Sequence, residues 1–263
     1  MYIDCKNKAQ EIKNMLKNSI NKKKPPTLVV IQVGDDSASN SYIKGKKKDC
    51  EEIGIICHHI KYENDISEKY LLTKVKRLQK LYDGIIVQLP LPKHISEQKV
   101  IDIINPIKDV DGFKSNSPYI SCTPMGIMFV LENYNLAGKD VLIINRSNIV
   151  GRPLVNLLLD RDATVTIAHS KTKDIKNKIK SADIIITAVG VSNFIKREDL
   201  KEGQIVIDVA INRNEEGKLC GDVEKGVDDI VDITPVPGGI GLMTRAALLM
   251  NTYEAFVLQK RGE

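Results

Sequence analysis

Residues Val141 to Pro153, V-L-I-I-N-R-S-N-I-V-G-R-P, constrain the fold more than any other stretch. The apolar run Val141 to Ile144 has the length of a buried strand. A polar turn, Asn145-Arg146-Ser147-Asn148, follows it, and a segment with Gly151 and Pro153 opens a helix over Leu154 to Leu159. Strand, turn and helix in that order make the first half of a βαβ unit, which sets the fold class as α/β. Such a turn leaves backbone N–H groups and the positive end of a helix dipole where a phosphate can sit. The fingerprint G-x-G-x-x-G is absent, because Asn145 and Ser147 stand at the first two glycine positions and only Gly151 remains. Taken alone, the stretch fits a structural βα turn as well as a cofactor loop.

The next strand, Thr164 to Ala168, is expected to end beside the first, with His169-Ser170-Lys171 at its tip. Sites for NAD usually place a carboxylate there to hold the ribose hydroxyls, and this tip has none. Arg146, Ser170 and Lys171 suit a 2′-phosphate instead, so the reading turns toward NADP.

A chain of 263 residues holds one large or two medium domains. Its formal net charge of +5 comes mostly from lysines, among them Lys22 to Lys24 and Lys44 to Lys48 with only Gly45 between. There is no tryptophan, few aromatics flank the basic runs and no nucleic-acid motif occurs, so the lysines read as a solvated face rather than a nucleic-acid surface. Five cysteines without a C-x-x-C pair read as reduced intracellular thiols. No apolar leader and no run of about 20 apolar residues occurs, so neither a membrane span nor export is expected, and the location reads as cytoplasmic.

In the first half, Ala9 to Ile20 patterns as an amphipathic helix and Leu28 to Val33 as a buried strand. From Ser39, capped by itself or by Ser37, a helix places Ser39, Tyr42 and Lys46 on one face. Tyr42 offers a ring for stacking, and a buried lysine amine can move protons; a solvated lysine in a Lys-rich helix fits the spacing equally. Tyr-x-x-x-Lys also occurs in short-chain dehydrogenases, but there it follows the nucleotide turn, whereas here it precedes it. Ile53 to Ile60 reads as a strand whose His58 and His59 face opposite ways, a poor metal pair. A helix over Glu68 to Leu81 leads to the strand Gly84 to Val87, which ends at Gln88-Leu89-Pro90, where α/β sheets bind ligands. After a helix over Glu97 to Ile104, Asp111-Gly112 offers a carboxylate on a turn, able to accept two hydrogen bonds from an amino-pyrimidine edge, although Asp-Gly is also simply a good turn. Further on, Ala182 to Val189 and Gln204 to Ala210 read as buried strands, and Met243 to Gln259 as a helix returning to the first domain.

Seven motifs then fall in one order: S-x-x-Y-x-x-x-K at 39–46, D-G-I-I-V-Q-L-P-L-P at 83–92, K-D-V-D-G-F at 108–113, C-T-P at 122–124, R-S-x-I-V-G-R-P at 146–153, H-S-K-T at 169–172 and P-V-P-G-G-I-G at 235–241. Over nearly its whole length the chain resembles the methylenetetrahydrofolate dehydrogenase/methenyltetrahydrofolate cyclohydrolase family. The resemblance implies two α/β domains facing across a cleft, the second a Rossmann-like NADP-binding domain. By it, residues 1–121 with the C-terminal helix 243–263 form the folate-binding domain and residues 122–242 the cofactor domain. It implies NADP-dependent oxidation of 5,10-methylenetetrahydrofolate, then hydrolysis of the methenyl product to 10-formyltetrahydrofolate, by a homodimer without a metal.

The same resemblance assigns roles. Lys46 is the lysine of the hydrolytic step, Gln88 sets its charge and position, Tyr42 stacks along the folate and Asp111 holds the pterin edge. Leu89, Pro237, Gly238 and Gly239 border the substrate, while Asn145, Arg146, Ser147, Ser170 and the backbone at Ile211 hold the dinucleotide. Four positions depart from the family pattern: Asn145 and Ala210 stand for glycines, Leu242 for a proline, and the link from Phe113 to Cys122 is short, lacking N-x-G-x-L. They bear on the dehydrogenase more than on the fold, so a relative that is mainly a cyclohydrolase is one alternative. A non-catalytic folate- or nucleotide-binding protein is another.

Overall fold

The computed structural model describes residues 1–261. The chain divides into two compact units, one of Glu11–Cys122 with the segment from Arg245 on, the other of Met1–Gln10 with Thr123–Thr244. The first ten residues thus belong with the later part of the chain: Tyr2 bridges Ile233, and Ile3 N–H donates to the Ile233 carbonyl at 2.9 Å.

Helix α1 (Cys5–Ser19), which from Glu11 on belongs to the first unit, leads into that unit's strand β1 (Thr27–Val33), helix α2 (Ser37–Ile53) and strand β2 (Ile56–Tyr62). Helix α3 (Glu68–Leu78), strand β3 (Gly84–Val87) and helix α4 (Glu97–Ile103) follow. The strands form a parallel sheet in the order β2-β1-β3. β1 lies in the middle and is buried from Leu28 to Val33, as a strand covered on both faces must be. Beneath it Val29, Ile31, Leu71, Val75, Ile85 and Val100 pack into one cluster.

The cap of α2 is Asp36, whose carboxylate accepts from Ser39 N–H at 2.7 Å; Ser37 is already helical, so neither serine expected at that role fills it. The strand expected from Ile53 begins three residues later, because Ile53 ends α2 and Gly54 closes it at φ 91°, a left-handed conformation suited to glycine. His59 bonds to Gln32 and His58 to Tyr82, each at 2.9 Å.

In the second unit, helix α5 (Cys122–Leu131) precedes strand β4 (Asp140–Ile144), helix α6 (Gly151–Leu159), strand β5 (Thr164–Ala168), helix α7 (Ile175–Ser181) and strand β6 (Ile184–Thr187). Strand β7 (Ile205–Asp208), the short antiparallel pair β8 (Asn212–Arg213) and β9 (Leu219–Cys220) and strand β10 (Asp232–Ile233) follow, and helix α8 (Ile240–Arg261), which from Arg245 on belongs to the first unit, comes last. Five parallel strands run β10-β7-β6-β4-β5, a doubly wound order whose direction reverses between β4 and β6. Ligands of such sheets bind at that reversal, beyond the carboxyl ends of the strands. The three-stranded sheet of the first unit has the same reversal between β1 and β3.

Candidate active site

In the first unit the chemistry gathers at the carboxyl end of β3. Gln88 is the first residue past that strand, and its N–H donates to the Ile31 carbonyl of β1 at 2.8 Å, which anchors it at the reversal. Its side-chain NH2 donates to the Leu89 carbonyl at 3.0 Å, so its carboxamide oxygen is the atom that faces α2. There it accepts from Lys46 Nζ at 3.1 Å. Lys46 is only 5% exposed, and its Nζ lies 5.0 Å from the centroid of the Tyr42 ring, one turn back on the same helix. A buried amine, an amide oxygen and an aromatic face thus meet in one place.

Asp111 is the acidic group that feels the Lys46 charge. Burial pushes its carboxyl up to about 6; the Lys46 charge opposes that rise and the nearby Asp109 adds to it. Asp111 also lines a small pocket with Ile85, Val87, Leu89, Val100 and Phe113. Gly112 follows at φ 69°, where an added Cβ would stand 2.7 Å from the Ser121 backbone nitrogen, so the turn carrying Asp111 requires glycine there. The short link to Cys122 is firmly held. Lys114 Nζ donates to the Asp102 and Ile104 carbonyls at 2.7 Å, and Tyr119 Oη donates to the Ile107 carbonyl at 2.7 Å.

Sequence reasoning missed the groups that support this cluster. Asn251 of α8 donates to the Val110 and Ile120 carbonyls at 2.9 and 3.0 Å and so fixes both sides of the Asp111 turn. Asp49, one turn past Lys46, accepts from Arg245 Nε at 2.6 Å and pairs with Lys13 at 3.5 Å. A lone asparagine or arginine inside a long helix carries no pattern that distinguishes it from a solvated residue.

In the second unit the candidate cofactor residues lie at the carboxyl edge of the five-stranded sheet. Asn145 follows β4 and spans the strand reversal: its Nδ2 donates to the Ala188 carbonyl, just past β6, at 2.7 Å. Its Oδ1 accepts from Ser147 N–H at 2.8 Å and Gly151 N–H at 3.2 Å, and Ser147 Oγ accepts from Val150 N–H at 3.1 Å. Three donors that the bare strand-turn-helix pattern leaves for a phosphate are therefore taken by the turn's own side chains. Gly151 cannot be replaced, since a Cβ would lie 2.2 Å from the Asn145 carbonyl oxygen.

Arg146 and Ser170 are exposed at this edge, and so are Lys171 and Ile211. No carboxylate occurs within residues 169–173 at the tip of β5, so a dinucleotide with a 2′-phosphate fits it. Pro237 and Gly238 are exposed, whereas Gly239 is buried, and an added Cβ there would lie 2.4 Å from the Pro235 carbonyl oxygen. These three belong to the unit of Thr123–Thr244, and Tyr42, Lys46, Gln88, Leu89 and Asp111 to the other. Among the described residues no cluster of His, Cys, Asp and Glu has the make-up of a metal site, and no helix is long and apolar enough to cross a membrane.

Fold and site together define an α/β protein that joins a lysine-centred unit to a Rossmann-like one. Residues 3–111 match the family model for the tetrahydrofolate dehydrogenase/cyclohydrolase catalytic domain, and residues 121–260 match that for the NAD(P)-binding domain of the same family. A relative from Lysinibacillus sphaericus, named bifunctional protein FolD, is 47% identical over 96% of both chains. The crystal structure of bifunctional FolD from Campylobacter jejuni matches with a TM-score of 0.94 at 42% identity, over 98% of this chain and 99% of that one. The Trypanosoma brucei methylenetetrahydrofolate dehydrogenase-cyclohydrolase, solved with NADP cofactor and inhibitor, matches with a TM-score of 0.93 at 30% identity, over 99% and 98%. The chain belongs to the tetrahydrofolate dehydrogenase/cyclohydrolase family.

Proposed function

We propose that the chain carries out two consecutive folate reactions, with its hydrolytic chemistry centred on Lys46. The family membership carries the activity: this is a bifunctional enzyme that oxidises 5,10-methylenetetrahydrofolate with NADP and hydrolyses the resulting methenyl cation to 10-formyltetrahydrofolate. When bound, NADP supplies the hydride acceptor. Arg146, Ser147 and Ser170 hold its phosphates and ribose, and Asn145 and Ile211 meet it through the turn and backbone they occupy.

In the hydrolytic step a water oxygen adds to the methenyl carbon, and the carbon–nitrogen bond to N5 then breaks. Lys46 takes one proton as the water adds and passes it to the departing nitrogen. The remaining hydroxyl proton leaves to solvent as the formyl C=O forms, so that the cation and water give neutral 10-formyltetrahydrofolate and one proton. Gln88 Oε1 holds the amine in place, and the Tyr42 ring flanks the flat folate. Asp111 accepts from the N–H groups of the pterin edge, bordered by Leu89 and by Pro237, Gly238 and Gly239. The observation that carries this reading is the 3.1 Å bond between buried Lys46 and a Gln88 oriented by its own backbone contact. The enzyme is further proposed to act as a cytoplasmic homodimer, in keeping with the family resemblance.

The test is absorbance with 5,10-methylenetetrahydrofolate, NADP in one cuvette and NAD in another, followed by supplied methenyltetrahydrofolate. Faster reduction of NADP together with hydrolysis above the buffer rate is the expected result. Hydrolysis without reduction of either dinucleotide would leave a cyclohydrolase alone, the reading that the Asn145 and Ala210 departures favour.

A further inference from the structure

Asp222 follows β9 and is completely buried. Its carboxylate accepts five hydrogen bonds: from Val189 N–H at 2.6 Å, Gly190 N–H and Val191 N–H at 2.9 Å, Thr187 Oγ1 at 2.8 Å and Asn212 Nδ2 at 3.1 Å. Three consecutive backbone donors on one carboxylate fix the course of a loop, because charge-assisted hydrogen bonds are the strong ones. That loop leaves β6 at the strand reversal, next to the Ala188 carbonyl that Asn145 holds. The fifth bond reaches Asn212, the neighbour of Ile211.

Asp222 is itself held from below. Asp208, the last residue of β7, accepts from Asp222 N–H at 3.1 Å and Val223 N–H at 3.0 Å. Gly221 must lack a side chain, since a Cβ would lie 1.9 Å from an Asp208 oxygen. The side chains carried by the clamped segments are apolar and face solvent: Val191 is 52% exposed and Ile211 56%. Exposed aliphatic side chains on a rigid frame at the ligand-binding edge suit a flat ring.

We propose that Asp222 is a positioning residue for hydride transfer, clamping the loop after β6 and the segment at Ile211 as one frame against which the nicotinamide rests. The proposal rests on the reading that places the dinucleotide at this edge. Asp222→Asn keeps the shape but turns an NH2 donor toward backbone donors, so the loop loses part of its anchorage. A few tenths of an ångström at the reacting carbon are costly in a reaction that depends on alignment.

The experiment measures both activities in the full-length protein: dehydrogenase kcat and KM for NADP, and hydrolysis of supplied methenyltetrahydrofolate without dinucleotide. For Asp222→Asn the dehydrogenase kcat is expected to fall about tenfold or more, while hydrolysis stays within about twofold. Unchanged dehydrogenase kcat and KM would overturn the proposal. If Asp222→Asn loses both activities, Asn212→Ala decides: a selective loss of dehydrogenase supports the clamp, and no loss or an equal loss of both overturns it. Arg146→Ala separates the underlying reading. An unchanged KM for NADP there removes the placement of the cofactor, whereas a raised KM beside an unaffected Asp222→Asn removes the clamp alone.

Discussion

Lys46 Nζ donates to Gln88 Oε1 across 3.1 Å, and Gln88 is held in that orientation by its own contact with the Leu89 carbonyl. One helix and one strand end thus fix a proton-carrying group to within a rotamer. Lys46→Ala should lower cyclohydrolase kcat by a factor of about 10² or more, the usual worth of a positioned acid or base. Gln88→Ala should lower it less, because the amine survives without its guide. Hydrolysis rates on supplied methenyltetrahydrofolate, with circular dichroism to verify folding, decide this. Persistent hydrolysis in Lys46→Ala would remove the assigned role.

Asp111 gives the site a pH signature. Its carboxyl titrates near 6 in the folded protein, raised by burial, against 3.8 as its ordinary value. It must be ionised to accept from a pterin edge, so KM for the folate substrate should rise as pH falls through about 6. The stability effect has the opposite sense. Between about pH 4 and 6 the folded state keeps a proton that the unfolded state releases, so this group's contribution to stability declines as pH rises through that window. Asp111→Asn should therefore be more stable to urea unfolding than the parent at pH 7.5, by about 1–3 kcal/mol, with the gap closing toward pH 4. A gap that holds steady from pH 4 to 7.5 would contradict the titration.

Periodicity and turn chemistry made most of the elements legible before any coordinates. β3 and β4 are four- and five-residue strands of nearly pure Ile, Leu and Val, a pattern that suits a parallel strand covered on both faces. Spacing put Tyr42 and Lys46 on one helical face and Gln88 just past a strand, where the structure has them, but it left a solvated lysine equally open, and their roles came from the family resemblance alone. The boundary at Ile53 was misplaced because its apolar run spans a helix end and a strand start, and Gly54 was the stop signal. α7 was not legible, since lysines at Lys176, Lys178 and Lys180 hide its apolar face. Asp222 and Asn251 were invisible for another reason: each acts through backbone atoms remote in sequence, which no local spacing encodes.

Arg245 and Gly45 offer a stability test that is independent of catalysis. Arg245 Nε binds Asp49 at 2.6 Å, with both side chains largely shielded, and a Cβ on Gly45 would lie 2.6 Å from Arg245 Nη1. Arg245→Ala takes one of the two cations from Asp49, leaving Lys13 beside it among the described residues, and should cost about 1–3 kcal/mol in urea unfolding. Gly45→Ala should destabilise the parent by displacing that arginine. In the Arg245→Ala background it should instead stabilise by up to about 1 kcal/mol, the helix preference of alanine over glycine. Equal effects in both backgrounds would show that the two residues do not compete for the space.

Asn145 poses a trade between stability and cofactor affinity. Its carboxamide takes Ser147 N–H and Gly151 N–H and, from its other side, grips the Ala188 carbonyl across the strand reversal. Asn145→Gly removes all three bonds at once. Two backbone donors become free to face the dinucleotide phosphates, which favours binding at a helix start. The turn loses its bridge to β6 and gains a flexible residue, which favours unfolding by about 1–2 kcal/mol. The expected outcome is a KM for NADP lowered several-fold together with a lower melting temperature, read by dehydrogenase kinetics and thermal unfolding of the same preparation. A raised KM would mean that the bridge to Ala188 matters more to cofactor binding than the donors it sequesters, and that the asparagine holds the pocket rather than filling it.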